Sequence, residues 1–181
     1  MHRTLALHPD SRCNAVTRID VVATRPRPGH LVVRYIVAGK IADLRLPLAA
    51  ESTRTDELWR HTCFEAFLRP PPGEAYYEFN FAPSTRWAAY GFGSYRSGMR
   101  VADDVGAPFI ETQRGADFYL LQASLDLERL VHVVKDTVWR VGLSAVIEEE
   151  SGAISYWALR HPPGRADFHH SDCFALELAP A

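Results

Sequence analysis

Residues 58–68 read LWRHTCFEAFL and residues 75–82 read AYYEFNFA, with RPPPGE between them. Each run has strand length, and the proline-glycine stop between them reads as the turn of an antiparallel hairpin. Neighbouring side chains in a strand point to opposite faces. Phe64, Ala66 and Leu68 therefore share one face, matched by Tyr77, Phe79 and Phe81, and that apolar face belongs to a core. The other face carries Cys63, Glu65 and Phe67 on the first strand and Tyr76, Glu78 and Asn80 on the second. A carboxylate such as Glu65 is costly inside such a run if it is buried without a partner.

This second face has no lysine and interleaves aromatic rings with carboxylates and an amide. Sugar sites have that character, because hydroxyls bond to carboxylates and amides while C–H faces stack on rings. The alternative is a sheet face covered by a loop or by a partner chain.

The same period-two pattern extends outward over most of the chain. Strands are expected at 16–24, 31–38, 41–47, 62–68, 75–82 and 87–92, then at 108–112, 117–124, 138–147, 154–161 and 173–179. Clusters such as RPRPGH and EEESGA punctuate them. One segment, LDLERLVHVV at 125–134, has room for a helical turn capped by Asp126. Long segments of helical period are absent. The class expected is all-β: a single domain over 1–181, an antiparallel two-sheet β-sandwich of jelly-roll or immunoglobulin-like type with about nine to eleven strands.

Composition narrows the classes further. Of 181 residues, 47% are hydrophobic and 23% charged, which suits a globular domain rather than a disordered one. The net charge is −2 with no clustered basic face, so no nucleic-acid partner is expected. No stretch reaches membrane-spanning length, so no membrane partner is expected, and MHRTLALHPDSRC lacks the apolar core of a signal peptide. A cytoplasmic protein is the expectation. Cys13, Cys63 and Cys173 are widely spaced and form no CxxC. Three reduced thiols are favoured over a Cys63–Cys173 bridge.

Three stretches together carry a family likeness: LWRHTCFEAFL, AYYEFNFAPSTRWAAYGF and DFHHSDCFALEL. A tryptophan precedes the strand glutamate by six residues, and a Tyr-Tyr-Glu-Phe-Asn-Phe-Ala-Pro run follows the turn. The pattern resembles the family 9 carbohydrate-binding modules and the related DOMON-like domains, which are antiparallel β-sandwiches that bind sugars or haem. The resemblance implies that Trp59 stacks on a sugar ring and that Glu65 accepts hydroxyl hydrogen bonds. It places Glu78 and Asn80 at the two polar positions of the next strand. Sugar-binding modules can carry a cation where this chain has Glu78. Their second stacking tryptophan has no clear match, and Phe168, His169 and His170 stand in that region instead.

The same residues admit other roles. Glu65 and Glu78 could form a catalytic pair as in glycosidases, but nothing in the sequence marks one as the acid. Clustered oxygens could hold calcium, but no Asp-rich loop supports it. His61, His161, His169 and His170, or Met99 with a histidine, admit a haem reading. In TRWAAYGFGSYRSGMR, Arg96 or Arg100 could contact an anionic substituent from a flap over the site. The reading reached is a non-catalytic domain that binds a small molecule, most simply a mono- or disaccharide. Its site residues are Trp59, Glu65, Glu78, Asn80, Arg96 and His169, with no metal and no cofactor. A haem-binding module and a structural or protein-interaction domain are the alternatives, and a homodimer stays open.

Overall fold

The computed structural model describes residues 1–130, 133 and 136–181. Within these residues, thirteen strands form two antiparallel sheets. They are β1 (His2–Thr4), β2 (Ala6–Leu7), β3 (Val16–Thr24), β4 (His30–Gly39), β5 (Cys63–Arg69), β6 (Tyr76–Phe81) and β7 (Trp87–Phe92). The rest are β8 (Arg100–Val101), β9 (Phe109–Arg114), β10 (Phe118–Asp126), β11 (Trp139–Glu148), β12 (Ile154–Ala158) and β13 (Leu176–Leu178). One sheet runs β1-β3-β4-β10-β9. The other runs β2-β12-β11-β5-β6-β7-β8, with β13 also paired to β11.

β11 is long enough to seat two partners along one edge: Ser144–Glu148 pair with β12, and Trp139–Val141 pair with β13. The excess over the expected strand count lies in pieces of two or three residues at sheet edges, namely β1, β2 and β8.

Alternation builds the core. Ile19, Val21, Leu31, Val33 and Val37 face Phe64, Ala66, Leu68, Phe79 and Phe81, all essentially inaccessible to solvent. Each such large side chain contributes about 1.5–3 kcal/mol by leaving water. The hairpin forms in the expected register, with Phe64 opposite Phe81, Glu65 opposite Asn80 and Phe67 opposite Glu78.

Two strand expectations are corrected, and the turn expected after Asp126 is found. Residues 41–47 do not form a strand: Ile41–Asp43 make a short 3-10 turn, and Leu44 makes one isolated bridge to Glu149. Ile41 and Leu44 are the buried residues there, and a spacing of three suits a tight turn, not a strand. At 125–134, Leu125 and Asp126 end β10, and Asp126 Oδ1 accepts from the Glu128 N–H at 2.9 Å as a local turn. Residues 131, 132 and 134 of that segment lie outside the described residues. The last strand is confined to Leu176–Leu178, because Ser171–Cys173 form a 3-10 turn.

The eight-stranded sheet is buried on both faces where it matters. β5 and β6 are enclosed along nearly their whole lengths. Their outer face supports a second apolar cluster that includes Phe67, Tyr76, Tyr90, Phe92, Phe168 and Phe174. The loop after β12 closes over this face. Gly142 lets it in: a Cβ there would stand 3.0 Å from the carbonyl oxygen of Cys173.

Candidate functional site

The outer face of the eight-stranded sheet is read in rows. Ser144, Glu65, Asn80 and Ala88 form one row across β11, β5, β6 and β7. Gly142, Phe67, Glu78, Tyr90 and Val101 form the next. Glu65 and Glu78 are thus diagonal neighbours, with backbones roughly 7–8 Å apart. Above them opens a cleft of about 610 Å³. Trp59, Glu65, Glu78, Arg96 and His169 all line it.

Asn80 does not. It is fully buried beneath the cleft, and its side-chain amide donates to Glu78 Oε1 at 2.7 Å. It is placed to hold that carboxylate, whereas the sequence pattern gave it a direct contact with a ligand hydroxyl. The Cys63 thiol in turn donates to Asn80 Oδ1 at 3.5 Å.

Trp59 sits on a 3-10 turn, Leu58–Arg60, at the rim, and its side chain is half exposed. Glu57 starts this turn in the left-handed region, φ 61°, which is unusual for a residue with a side chain. The Glu57 carboxylate then takes a 2.7 Å contact from Arg60. Large apolar groups that stay exposed beside a cleft are the ones available to a ligand.

Burial acts on both carboxylates. Glu65 and Glu78 are almost inaccessible, 3% and 6% exposed. Burial, and then the nearby charge of Glu78, pushes the Glu65 carboxyl well above the usual carboxylate range, against a smaller downward pull from Arg96. Burial also raises Glu78, opposed by the Asn80 hydrogen bond and by Arg96. Two such groups side by side retain protons to higher pH than free glutamates do.

His169 is packed edge-on against Phe67 and Phe92, with ring centroids 5.1 Å away in each case. Burial, then the Arg96 charge, lowers its pKa to about 4, so the ring is neutral at pH 7. The Tyr76 hydroxyl lies 2.8 Å from Nδ1 and itself accepts the Arg96 backbone N–H at 3.1 Å. The hydroxyl proton is then free to go to Nδ1, which leaves the ring proton on Nε2, 3.6 Å from Glu78.

Arg96 lines the cleft but is not a free cation. Its guanidinium bonds to Asp167 at 2.8 Å, and the Tyr95 hydroxyl donates to the same carboxylate. The residue is held at φ 50°. The expected contact to an anionic substituent therefore competes with an existing ion pair. Arg100 lies 3.4 Å from the Tyr77 hydroxyl and 3.7 Å from Asp104.

The four histidines singled out in the sequence occupy separate places. His61 bonds Glu148 at 2.8 Å, His161 bonds the Ala6 carbonyl at 2.8 Å, and His170 accepts from the Asp172 N–H. Among the described residues no group of three or more His, Cys, Asp or Glu side chains is placed to hold a metal ion. Met99 lines the cleft and is largely exposed. The three cysteines are unbridged.

Sequence reading missed the far wall. Tyr156 and Ile154 line the cleft from β12, partly exposed, and Tyr156 lies against Phe168 with centroids 6.2 Å apart. The signal was present: in ISYWA, Ser155 and Trp157 are buried and the alternate residues face outward. What was not visible was that β12 flanks β11, with Tyr156 opposite Val146. Phe168, expected only as a substitute for a second tryptophan, lines the cleft as well.

This architecture has known counterparts. A candidate carbohydrate-binding protein from Bacteroides uniformis superposes with a TM-score of 0.72 at 17% identity, over 100% of this chain and 86% of that one. Family 9 carbohydrate-binding modules from Caldicellulosiruptor kristjanssonii, solved with glucose and with cellotriose, superpose with TM-scores of 0.56 and 0.58 at 10% and 12% identity. Those matches cover 98% and 97% of this chain and 84% and 81% of theirs. The chain has the fold of the family 9 carbohydrate-binding modules. No family model and no curated protein sequence matches it. In this family 9-like sandwich, two carboxylates on the sheet face lie under a cleft with an exposed tryptophan at its rim.

Proposed function

We propose that the protein is a non-catalytic carbohydrate-binding domain whose cleft takes a mono- or disaccharide. The observation that carries this reading is the placement of Trp59 over the same cleft as Glu65 and Glu78. A sugar ring offers an apolar C–H face for the indole and hydroxyls for the carboxylates. Tyr156 on the opposite wall offers a second aromatic contact in a chain that has no clear match to the family's second tryptophan. Sugar complexes of structures with this fold add weight to the reading.

Thermal-shift and calorimetric titration against glucose, cellobiose and cellotriose test it. A saturating ligand at 100 times its dissociation constant adds about 2.7 kcal/mol to stability. The Trp59→Ala variant should keep its melting temperature, because a half-exposed side chain carries little of the core. It should lose about 1–3 kcal/mol of binding, the range for aromatic stacking platforms. Full retention of affinity in Trp59→Ala would remove the platform from the site.

A further inference from the structure

The charges around the cleft are unevenly matched. Arg96 faces Asp167 and Arg60 faces Glu57, so each cleft-lining arginine has its own counter-charge. Glu65 and Glu78 do not. Among the described residues, the one hydrogen bond to the Glu78 carboxylate comes from the neutral amide of Asn80, and the neighbouring His169 ring is neutral at pH 7. The Glu65 carboxylate receives no hydrogen bond from any described residue, although it is 3% exposed and lines the cleft. The contact made at this residue is to its backbone carbonyl, from Tyr35.

A carboxylate enclosed without a donor or a counter-charge is costly, and the cost is recovered when a cation meets it. The rings of Trp59, Tyr90, Phe92 and Phe168 line the same space. Cations are attracted to such ring faces. A hydroxyl offers one donor and no charge, whereas an ammonium offers three donors and a full charge.

We infer that Glu65 and Glu78 form a subsite for a protonated primary amine on the ligand, so that the cleft takes an amino sugar in preference to its neutral counterpart. The sugar part of this inference rests on the carbohydrate reading; the amine part rests on the carboxylates alone. Binding of the ammonium pulls the carboxyls toward their ionised form and releases protons, which a neutral sugar does not do.

Calorimetric titration of the full chain at pH 7 with glucosamine, glucose, N-acetylglucosamine and cyclohexylamine tests it. Glucosamine should bind about tenfold or more tighter than glucose, as expected for a charge-assisted contact. N-acetylglucosamine, which has lost the charge, should show no such gain. Glu65→Gln and Glu78→Gln should each shrink the preference for glucosamine over glucose. Equal affinity for glucosamine and glucose, or for glucosamine and its acetylated form, overturns the amine subsite and leaves the carbohydrate reading standing. Binding of cyclohexylamine but of no sugar supports the amine subsite and overturns the carbohydrate reading. Binding of none of the four overturns both.

Discussion

Tyr35 reaches across the sandwich to Glu65: its hydroxyl, buried on β4 in the opposite sheet, donates to the Glu65 backbone carbonyl at 2.6 Å. The bond ties the core to the strand that presents the cleft carboxylate. The Tyr35 ring itself packs on Phe64 with centroids 5.1 Å apart.

Tyr35→Phe keeps the ring and removes the bond. The expected cost is about 1–3 kcal/mol, since the Glu65 carbonyl loses a buried donor. Urea denaturation measures this as a lower midpoint at unchanged slope. Ligand affinity should fall less than stability does, because the strand stays in register through its pairing with β6 and β11. An unchanged midpoint would show that this bond contributes nothing net.

The carboxylate pair gives stability a distinctive pH dependence. Both Glu65 and Glu78 are raised in the fold, so the folded chain binds more protons than the unfolded one above the ordinary carboxylate range. Their contribution is fully present below the unfolded pKa and is lost as pH rises through the folded values. Glu65→Gln keeps the shape, removes the charge and relieves Glu78. The variant should be more stable than the parent at pH 8, with roughly 2–4 °C in Tm for each kcal/mol recovered, and the gap should close near pH 4. Melting curves across that range decide it, and a gap independent of pH would contradict the charge argument.

His169 acts in the opposite sense. Its pKa is lowered to about 4 by burial and by Arg96, so the unfolded chain binds the proton first as pH falls. The stability it contributes is present above about pH 6.5 and is lost as pH drops toward 4. His169→Phe fits the cage of Phe67, Phe92 and Tyr76 but cannot be protonated. It should cost about 1 kcal/mol at pH 7 through the lost Tyr76 bond. Between pH 6.5 and 4 it should lose less stability than the parent, measured by denaturation midpoints at each pH.

The hairpin that carries Glu65 and Glu78 was legible because alternation and a proline-rich turn fix register together. Period two also revealed which side of β5 belonged to the core. It could not reveal that the other side is roofed, since the loop carrying Phe168 and His169 joins it from about a hundred residues downstream. Asn80 reads as a ligand group from its face, and only depth shows that its amide is turned to Glu78. The ion pair of Arg96 with Asp167 spans 71 positions, and no local pattern encodes such a partnership.

That ion pair makes the charge preference of the cleft adjustable. Asp167→Asn removes the counter-charge of Arg96 and leaves the shape nearly unchanged. The pair is half exposed on the Arg96 side, so the loss of stability should stay within about 1 kcal/mol. The unmatched guanidinium then pulls the Glu65 and Glu78 carboxyls down, and it is free to meet an anion. If Arg96 is silent in the parent because Asp167 occupies it, the variant should gain affinity for glucuronate relative to glucose by about tenfold, the worth of one charge-assisted contact. Calorimetry on both proteins with the same two sugars measures the ratio directly. An unaltered ratio would mean that the arginine, once released, turns to solvent, and that the cleft charge is set by Glu65 and Glu78 alone.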